Sequence, residues 1–333
     1  MTNMIYRVSV VVPTFKRPDQ LQRCLSALTI QDIDPAIYEI IIVDDAACVD
    51  TRRQVECWIE CTKGCGHTIR YLPVNGPHGP AAARNLGWQA ARGEIIAFTD
   101  DDCLPLPGWL RAGLAAFRDG IMGVSGKIIV PLEHTPTDYE RNAALLAKAE
   151  FVTANCFYRR ETLAMVGGFD ERFSMAWRED SDLVFRLVDH FSSGSTSSLL
   201  YAPAAVVVHP IRPASWGVSL KQQRKSMFNA LLYKKHPALY RQRIQSAPPW
   251  HYYCILGALL IALMSTIAGF WLYALGALSV WILMTARFCL LRLDNTSHSL
   301  RHISEMIVTS LLIPPLAILW RIVGAIKFRV FFL

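Results

Sequence analysis

The sequence predicts an α/β protein in which a mostly parallel sheet domain is followed by an amphipathic linker and then by C-terminal transmembrane helices. Three observations lead there. Short β-branched runs alternate with helical patterns over the first part of the chain, the order of a parallel sheet covered on both faces. Hydrophobic residues make up 52% of the 333 and charged residues only 18%, with the apolar excess concentrated near the C-terminus. The stretch from His251 to Ala286 contains no Asp, Glu, Lys or Arg.

Taken in order, Val8 to Val12 reads as a strand ending at Pro13. Asp19 to Leu28 reads as a helix, because Leu21, Cys24, Leu25 and Leu28 recur at helical spacing. Glu39 to Val43 is a second strand closing on Asp44 and Asp45, with a helix from about Thr51 to Cys61 behind it. A third round comprises the strand Ile69 to Leu72, the turn-rich Asn75 to Pro80, the helix Ala81 to Ala91 and the strand Ile95 to Thr99, which runs into Asp100. Later come a helix near Asn142 to Phe151, a loop through Gly167 and Gly168, a helix from Glu179 to Asp189, a Ser-rich turn from Ser192 to Ser198 and a strand near Ala204 to Val208. Ligands of open α/β sheets sit at the carboxyl ends of strands, and both acidic clusters, Asp44–Asp45 and Asp100–Asp102, fall at such ends.

Between Ile211 and Trp250 the chain carries Arg212, Lys221, Arg224, Lys225, Lys234, Lys235, Arg241 and Arg243 and no acidic residue. A net charge of +7 would suit nucleic acid or anionic lipid. Because the basic cluster abuts the apolar run, it reads as juxtamembrane, with membrane lipid as partner and nucleic acid excluded. On a helix drawn from Trp216 to Leu232, the residues Trp216, Leu220, Met227 and Leu231 share one side while Lys221, Arg224 and Lys225 project elsewhere, the pattern of a helix in the headgroup plane.

About 20 apolar residues cross a bilayer as a helix, so the span from His251 to Ala286 suits two passes with a bend near Gly269. Ile303 to Trp320 is a third apolar candidate. Glu305 and Pro314–Pro315 weaken it as a plain spanning helix and leave a re-entrant or interfacial course open. The expected division is the sheet domain over 1–212, which the motifs below make the catalytic one, a basic interfacial segment over 213–250 and a membrane domain over 251–333. The start, MTNMIYRVSVVVP, lacks secretory features, so the expected location is the cell (inner) membrane, multi-pass, with the catalytic domain cytoplasmic. Nine scattered cysteines read as thiols. Cys57, Cys61 and Cys65 with His67 lack the usual zinc spacing and read as packing residues.

The run Phe98-Thr99-Asp100-Asp101-Asp102 gathers three carboxylates at the end of a buried strand, where their mutual repulsion calls for a cation. Hard oxygen ligands suit Mg²⁺ or Mn²⁺, ions that complete their shells with water and substrate phosphates. A solvated acidic turn is the plainer alternative. Arg84 and Asn85 open a helix after a Gly/Pro turn, where backbone N–H groups and a cation can meet phosphate.

The motifs VSVVVPTFKR, IIVDDA, GPAAARNLGWQAARGEIIAFTDDDC, GGFDERF, RED followed by SDLVFRL, and VVHP stand in an order that resembles the family 2 glycosyltransferases with the Rossmann-like GT-A fold, over roughly Val8 to Pro210. The resemblance implies an inverting transferase with a nucleotide-diphosphate sugar donor. It places Pro13, Thr14, Phe15, Asp44 or Asp45, Arg84, Asp100 and Asp101 about the nucleotide sugar. Asp100 and Asp102 form the DxD pair, and Asp102 ligates the metal. His209 resembles a histidine that completes the shell in some such enzymes, and a structural role at the strand end is its alternative. In Trp177-Arg178-Glu179-Asp180, similar to the family's ED motif, Asp180 is the candidate base and Glu179 the runner-up, against ordinary acidic charge at a helix start. Trp177 and Asn155 are acceptor-side candidates, and Trp109 could stack on a sugar although aromatic residues are more often core.

The function so implied is transfer to a glycan or lipid-linked acceptor at the cytoplasmic membrane face. A processive polysaccharide synthase and a non-catalytic nucleotide-sugar-binding membrane protein are the alternatives. Gln222 to Ser226, QQRKS, only faintly resembles the QxxRW of processive synthases and lacks its Trp.

Overall fold

A computed structural model describes residues 6–149, 151–191 and 198–332. The Ser-rich turn expected from Ser192 to Ser198 falls on 192–197, outside the described residues. The chain divides into two compact units, Met1–Pro131 with Leu145–Ile211 and Leu132–Ala144 with Arg212–Leu333.

In the first unit β1 (Val8–Thr14), α1 (Pro18–Leu28), β2 (Tyr38–Asp44), α2 (Val49–Cys61), β3 (Thr68–Pro73), α3 (Pro80–Ala90) and β4 (Ile95–Phe98) follow one another in the expected alternation. β5 (Leu104–Pro105), α4 (Trp109–Ala115) and β6 (Ile121–Ile129) come next. The helix expected near Asn142 to Phe151 is instead α5 (Asp138–Ala144), part of the second unit, with a 3-10 turn at Leu145–Lys148. β7 (Cys156–Arg159), α6 (Arg160–Val166), α7 (Glu179–Phe191) and β8 (Ser198–Val208) complete the unit.

The eight strands form one sheet in the order β3-β2-β1-β4-β7-β6-β8-β5. β3, β2, β1 and β4 are parallel, β7 is antiparallel to β4 and β6, and β8 is parallel to β6. Alternation along the strands builds a core on each face. Val8, Val10, Val12, Ile40 and Ile42 pack with Leu21 and Leu25 of α1, while Val11, Ile41, Val43, Ile96 and Phe98 pack with Ala83 and Trp88 of α3. Cys57, Cys61 and Cys65 are exposed, which corrects their reading as packing residues. α2 turns Thr51 and Val55 inward, and the thiols lie on its other side and beyond its end.

The second unit is helical: α8 (Val218–Gln222), a 3-10 turn at Gln223–Met227, α9 (Phe228–Lys235), α10 (Pro237–Arg243), α11 (Trp250–Ile267), α12 (Trp271–Leu293) and α13 (Leu300–Phe328). The helix drawn from Trp216 to Leu232 is helical from Val218 to Lys235 but tightens to 3-10 geometry at Gln223–Met227. Met227 and Leu231, at 4% and 1% exposed, are buried in a run that packs against α13 rather than turned outward. The bend at Gly269 stands as expected, with φ +78°. α13 runs unbroken for 29 residues through Pro314 and Pro315. α11, α12 and α13 are each long and apolar enough to cross a membrane. Within this unit Asp138 of α5 accepts from Arg292 of α12 at 2.8 Å, and Arg292 donates onward to Thr309 and Ser310 of α13 at 2.7 and 3.1 Å. Burying a charge pair is tolerated when further hydrogen bonds satisfy it, as here.

Gly87 lets α3 lie directly on β1. A Cβ there would overlap Val11 and stand 3.0 Å from Val43 Cγ2. Gly87→Ala is expected to lower stability by about 1–3 kcal/mol, the usual cost of overpacking, and a thermal midpoint equal to wild type would show slack between helix and sheet.

Candidate active site

The parallel register brings the carboxyl ends of β2, β1 and β4 side by side, with Thr14 opposite Asp44 and Val11 opposite Phe98. The acidic residues beyond these ends are held by different partners. Asp44 is fully buried: its oxygens accept from the backbone N–H groups of Ala46 and Cys48 at 3.0 and 2.7 Å and from the Tyr71 hydroxyl at 2.8 Å. Those bonds fix the turn that starts α2. Asp45 is more open and accepts from the Gly79 N–H at 3.0 Å, with His78 Nδ1 also 3.0 Å away. Of the two candidates for the nucleotide sugar, Asp45 is therefore the one with exposed surface. Pro13 is half-buried and Phe15 is 51% exposed beside it.

Asp101, 2% exposed, accepts from Thr14 Oγ1 at 2.9 Å and pairs with Arg17 Nη1 at 3.2 Å. Burial raises its carboxyl above the ordinary range while Arg17 pulls the other way. The Thr14 side chain is committed to this carboxylate. Arg17, quoted in the VSVVVPTFKR motif but given no role there, is the cation that compensates it.

Arg84 is 3% exposed and spans two elements: Nη2 donates to Asp100 Oδ1 at 2.8 Å and Nη1 to Glu179 Oε1 at 3.0 Å. Its guanidinium is held among protein carboxylates instead of projecting toward open space. The bridge ties the end of β4 to the start of α7. Glu179 Oε2 has no hydrogen-bond partner among the described residues, and burial together with the neighbouring Asp180 charge pushes the Glu179 carboxyl up to about 7, more than Arg84 lowers it. Asp180 is half-buried, and its Oδ1 accepts from the Ser181 N–H at 2.6 Å. Arg178, just before it, has φ +77° and stacks over the Trp177 ring at 4.6 Å. Trp177 is 39% exposed.

Asp102 and Cys103 meet His209, which follows β8, with one donor atom from each lying within 4.8 Å of the others. His209 Nδ1 is 3.3 Å from the Pro210 carbonyl, a group that can only accept, so Nδ1 carries the proton and Nε2 offers a lone pair. That nitrogen stands 3.6 Å from Asp102 Oδ1. A carboxylate oxygen and an imidazole lone pair so placed are a donor set that fits a divalent cation. Burial raises the Cys103 thiol well above its ordinary range, and a hard divalent cation prefers the carboxylate and imidazole beside it.

Asn155 corrects an expectation. It is 1% exposed, donates to the carbonyls of Lys127 and Ala205 at 2.9 Å each and accepts from Trp109 Nε1 at 2.8 Å. Both of its N–H donors and one oxygen lone pair are used joining β6, β8 and α4, and its burial keeps it from an acceptor. Trp109 is fully buried against Phe157 and is core. Asn85 was legible only as a helix-start residue. It holds the GGFDERF loop by donating to the Phe169 carbonyl at 2.9 Å and accepting from the Phe169 N–H at 2.8 Å.

An α/β sheet with carboxylates converging at its strand ends and a carboxylate–imidazole pair beside them defines a nucleotide-sugar type of transferase site. The sequence profile of Glycosyl transferase family 2 matches residues 9–177, just over half the chain, and that of Glycosyl transferase family group 2 matches residues 95–322. The chain belongs to glycosyl transferase family 2. Among its relatives is Glycosyltransferase AglE of Haloferax volcanii, 26% identical over 236 residues, 67% of this chain and 72% of that one. Another is the GalNAc(5)-diNAcBac-PP-undecaprenol beta-1,3-glucosyltransferase of Campylobacter jejuni, 31% identical over 127 residues, 38% of this chain and 40% of that one. The chain thus spans less than half of the Campylobacter relative. The solved structure of mannosyltransferase PcManGT from Pyrobaculum calidifontis, in complex with GDP-Man and Mn²⁺, is 18% identical with TM-score 0.55, covering 97% of this chain and 87% of that one. The shared fold is the GT-A fold.

The raised Glu179 carboxyl sets a pH dependence. Its folded-state value lies above the ordinary 4.5, so the stability it contributes is present below 4.5 and lost as pH rises toward about 7. Compared with Glu179→Gln, whose side chain stays neutral, wild type is expected to lose thermal stability between these pH values. Wild type gaining on the variant over the same window would mean that the pair with Arg84 outweighs desolvation.

Proposed function

We propose that this family 2 glycosyltransferase transfers a sugar, with inversion, from a nucleotide-diphosphate sugar to a lipid-linked saccharide acceptor at the cytoplasmic face of the membrane. The observation that carries the chemistry is the contrast at the start of α7. Glu179 is buried and bound to Arg84, while Asp180 is only half-buried. A base must reach the acceptor hydroxyl within hydrogen-bond distance, which favours Asp180 over Glu179.

In this reading Asp180 takes the proton as the acceptor oxygen attacks the anomeric carbon on the face opposite the leaving diphosphate. Asp45 and the β1 end, Pro13 to Phe15, line the nucleotide side, and Trp177 flanks the acceptor. Arg84 acts through others, holding Asp100 at the DxD run and Glu179 beside the base. Asp102 and His209 would hold Mg²⁺ or Mn²⁺, which when bound neutralises charge developing on the leaving diphosphate. PcManGT, the fold neighbour, was solved with Mn²⁺ and GDP-Man, which supports a divalent metal and a nucleotide-sugar donor here.

The lipid-linked acceptor is supported by the apolar helices and by the Campylobacter relative, whose name specifies an undecaprenol-linked saccharide. In this reading α11 and α12 anchor the chain as a hairpin, and the eight basic residues of 211–250 support a cytoplasmic catalytic unit by positive-inside bias.

Two substitutions separate the parts. Asp102→Asn keeps the shape but weakens metal binding, and is expected to lower nucleoside diphosphate release by about 100-fold or more. Undiminished turnover by the folded variant in chelator would sink the metal-dependent mechanism. Asp180→Asn is expected to keep donor affinity and lose transfer by about 100-fold. Transfer surviving in Asp180→Asn but lost in Glu179→Gln would move the base to Glu179.

A further inference from the structure

By length and composition α13 could be a third membrane crossing. Its neighbours within the second unit say otherwise. Near its start, Glu305 Oε1 accepts from the Gly217 N–H at 2.7 Å. In its second half the Arg224 guanidinium lies 5.9 Å from the Trp320 ring centroid, and Arg321 Nη1 is 3.4 Å from Gln245 Oε1. Gly324 leaves no space between helix and backbone at Met227, and at the end the Phe328 carbonyl accepts from Lys234 Nζ at 2.8 Å. The polar segment 217–245 therefore accompanies α13 from Glu305 to Phe328, about 35 Å at 1.5 Å per residue.

That length exceeds the hydrocarbon thickness of about 30 Å. Were α13 to cross the bilayer, this segment would cross beside it, carrying the exposed Lys221, Arg224 and Lys234 and the helix break at His236 through a region where charged side chains are costly. The foot of the α11–α12 hairpin meets α13 about a third of the way along, where Arg292 donates to Thr309 and Ser310.

The other side of α13 fits the same placement. Ile307, Val308, Leu311 and Leu312 before the middle of the helix and Leu319, Ile322 and Ile326 after it are 37–72% exposed and fall on one side at helical spacing, while residues 313–318 between them are buried or half-buried. Exposed Arg301 and Lys327 stand at the two ends of this stripe, suited to phosphate headgroups.

We propose that α13 lies in the plane of the membrane surface, its apolar stripe against lipid acyl chains and its other face capped by the basic segment 212–245, so that the chain crosses the bilayer twice and not three times. The inference rests on the reading of α11–α12 as a membrane hairpin. The headgroup-plane role that the sequence assigned to the Trp216–Leu232 segment passes to α13, because Met227 and Leu231 are already buried. The element that meets lipid is then a helix built into the same unit as the linker that leads to the catalytic domain.

Parity decides it. The full chain carries one epitope tag after Leu333 and, in a separate protein, one at the exposed turn around Gly269, and sealed inside-out membrane vesicles of each are treated with protease. With α13 in the plane, the C-terminal tag is digested together with the catalytic domain, and the Gly269 tag survives until detergent opens the vesicles. A C-terminal tag protected while the catalytic domain is digested would overturn the proposal, since three crossings put the two on opposite sides. Digestion of the Gly269 tag in intact vesicles would remove the membrane hairpin itself and the inference with it, without touching the transferase assignment. Should the inserted tag unfold the hairpin, the C-terminal tag alone still decides between two crossings and three.

Discussion

The arrangement of the site depends on how one sheet end tolerates its carboxylates. Asp100, Asp101 and Asp102 follow a fully buried strand, and Glu179 and Asp180 approach from another element. Left alone, such a cluster would repel itself and protonate. The protein divides the compensation. Arg17 takes Asp101, Arg84 takes Asp100 and Glu179 together, and Asp102 lies 3.6 Å from the His209 imidazole, a pair that would share a cation. Because Arg84 is buried and donates from Nη1 to Glu179 and from Nη2 to Asp100, it ties the DxD run to α7. Removing one partner of such a pair typically costs 3–5 kcal/mol, so the geometry is stiff. Stiffness here serves function, since donor and base must be held in one relation through the reaction.

The helical unit solves a similar problem with different means. Arg292 and Asp138 form a buried pair satisfied by Thr309 and Ser310, and the pair pins α5, α12 and α13 to one another. The 3-10 turn between α8 and α9 and the break before α10 let a short, strongly basic segment follow α13 closely. The basic residues thereby stay at the surface while Phe228, Leu231 and Leu232 fill the space beneath.

Much of the fold was legible because the signals are local. β-branched runs and helical spacing placed β1 through β4 and their helices to within a few residues, and the acidic strand ends located the site. β5, β6 and β7 were missed: β5 is two residues long, and Gly123 and Gly126 interrupt the pattern of β6. The site was legible as residue types and illegible as partnerships. Nothing in the spacing of Arg84, Asp100 and Glu179 announces that one guanidinium spans both carboxylates, and Asn155 looks free in sequence although three hydrogen bonds hold it. The amphipathic reading of Trp216 to Leu232 failed for a related reason. An apolar helix face looks the same whether lipid or another helix will cover it.

The central claim is that Asp102 and His209 assemble a metal-dependent nucleotide-sugar site on a GT-A sheet. Calorimetric titration of the full-length protein with a panel of nucleotide sugars, with Mn²⁺ and with chelator, tests it most directly. The account expects one donor to bind with Mn²⁺ and to lose at least about tenfold in affinity, or about 1.4 kcal/mol, in chelator. Binding of no nucleotide sugar in Mn²⁺, or equal binding in chelator, would contradict it.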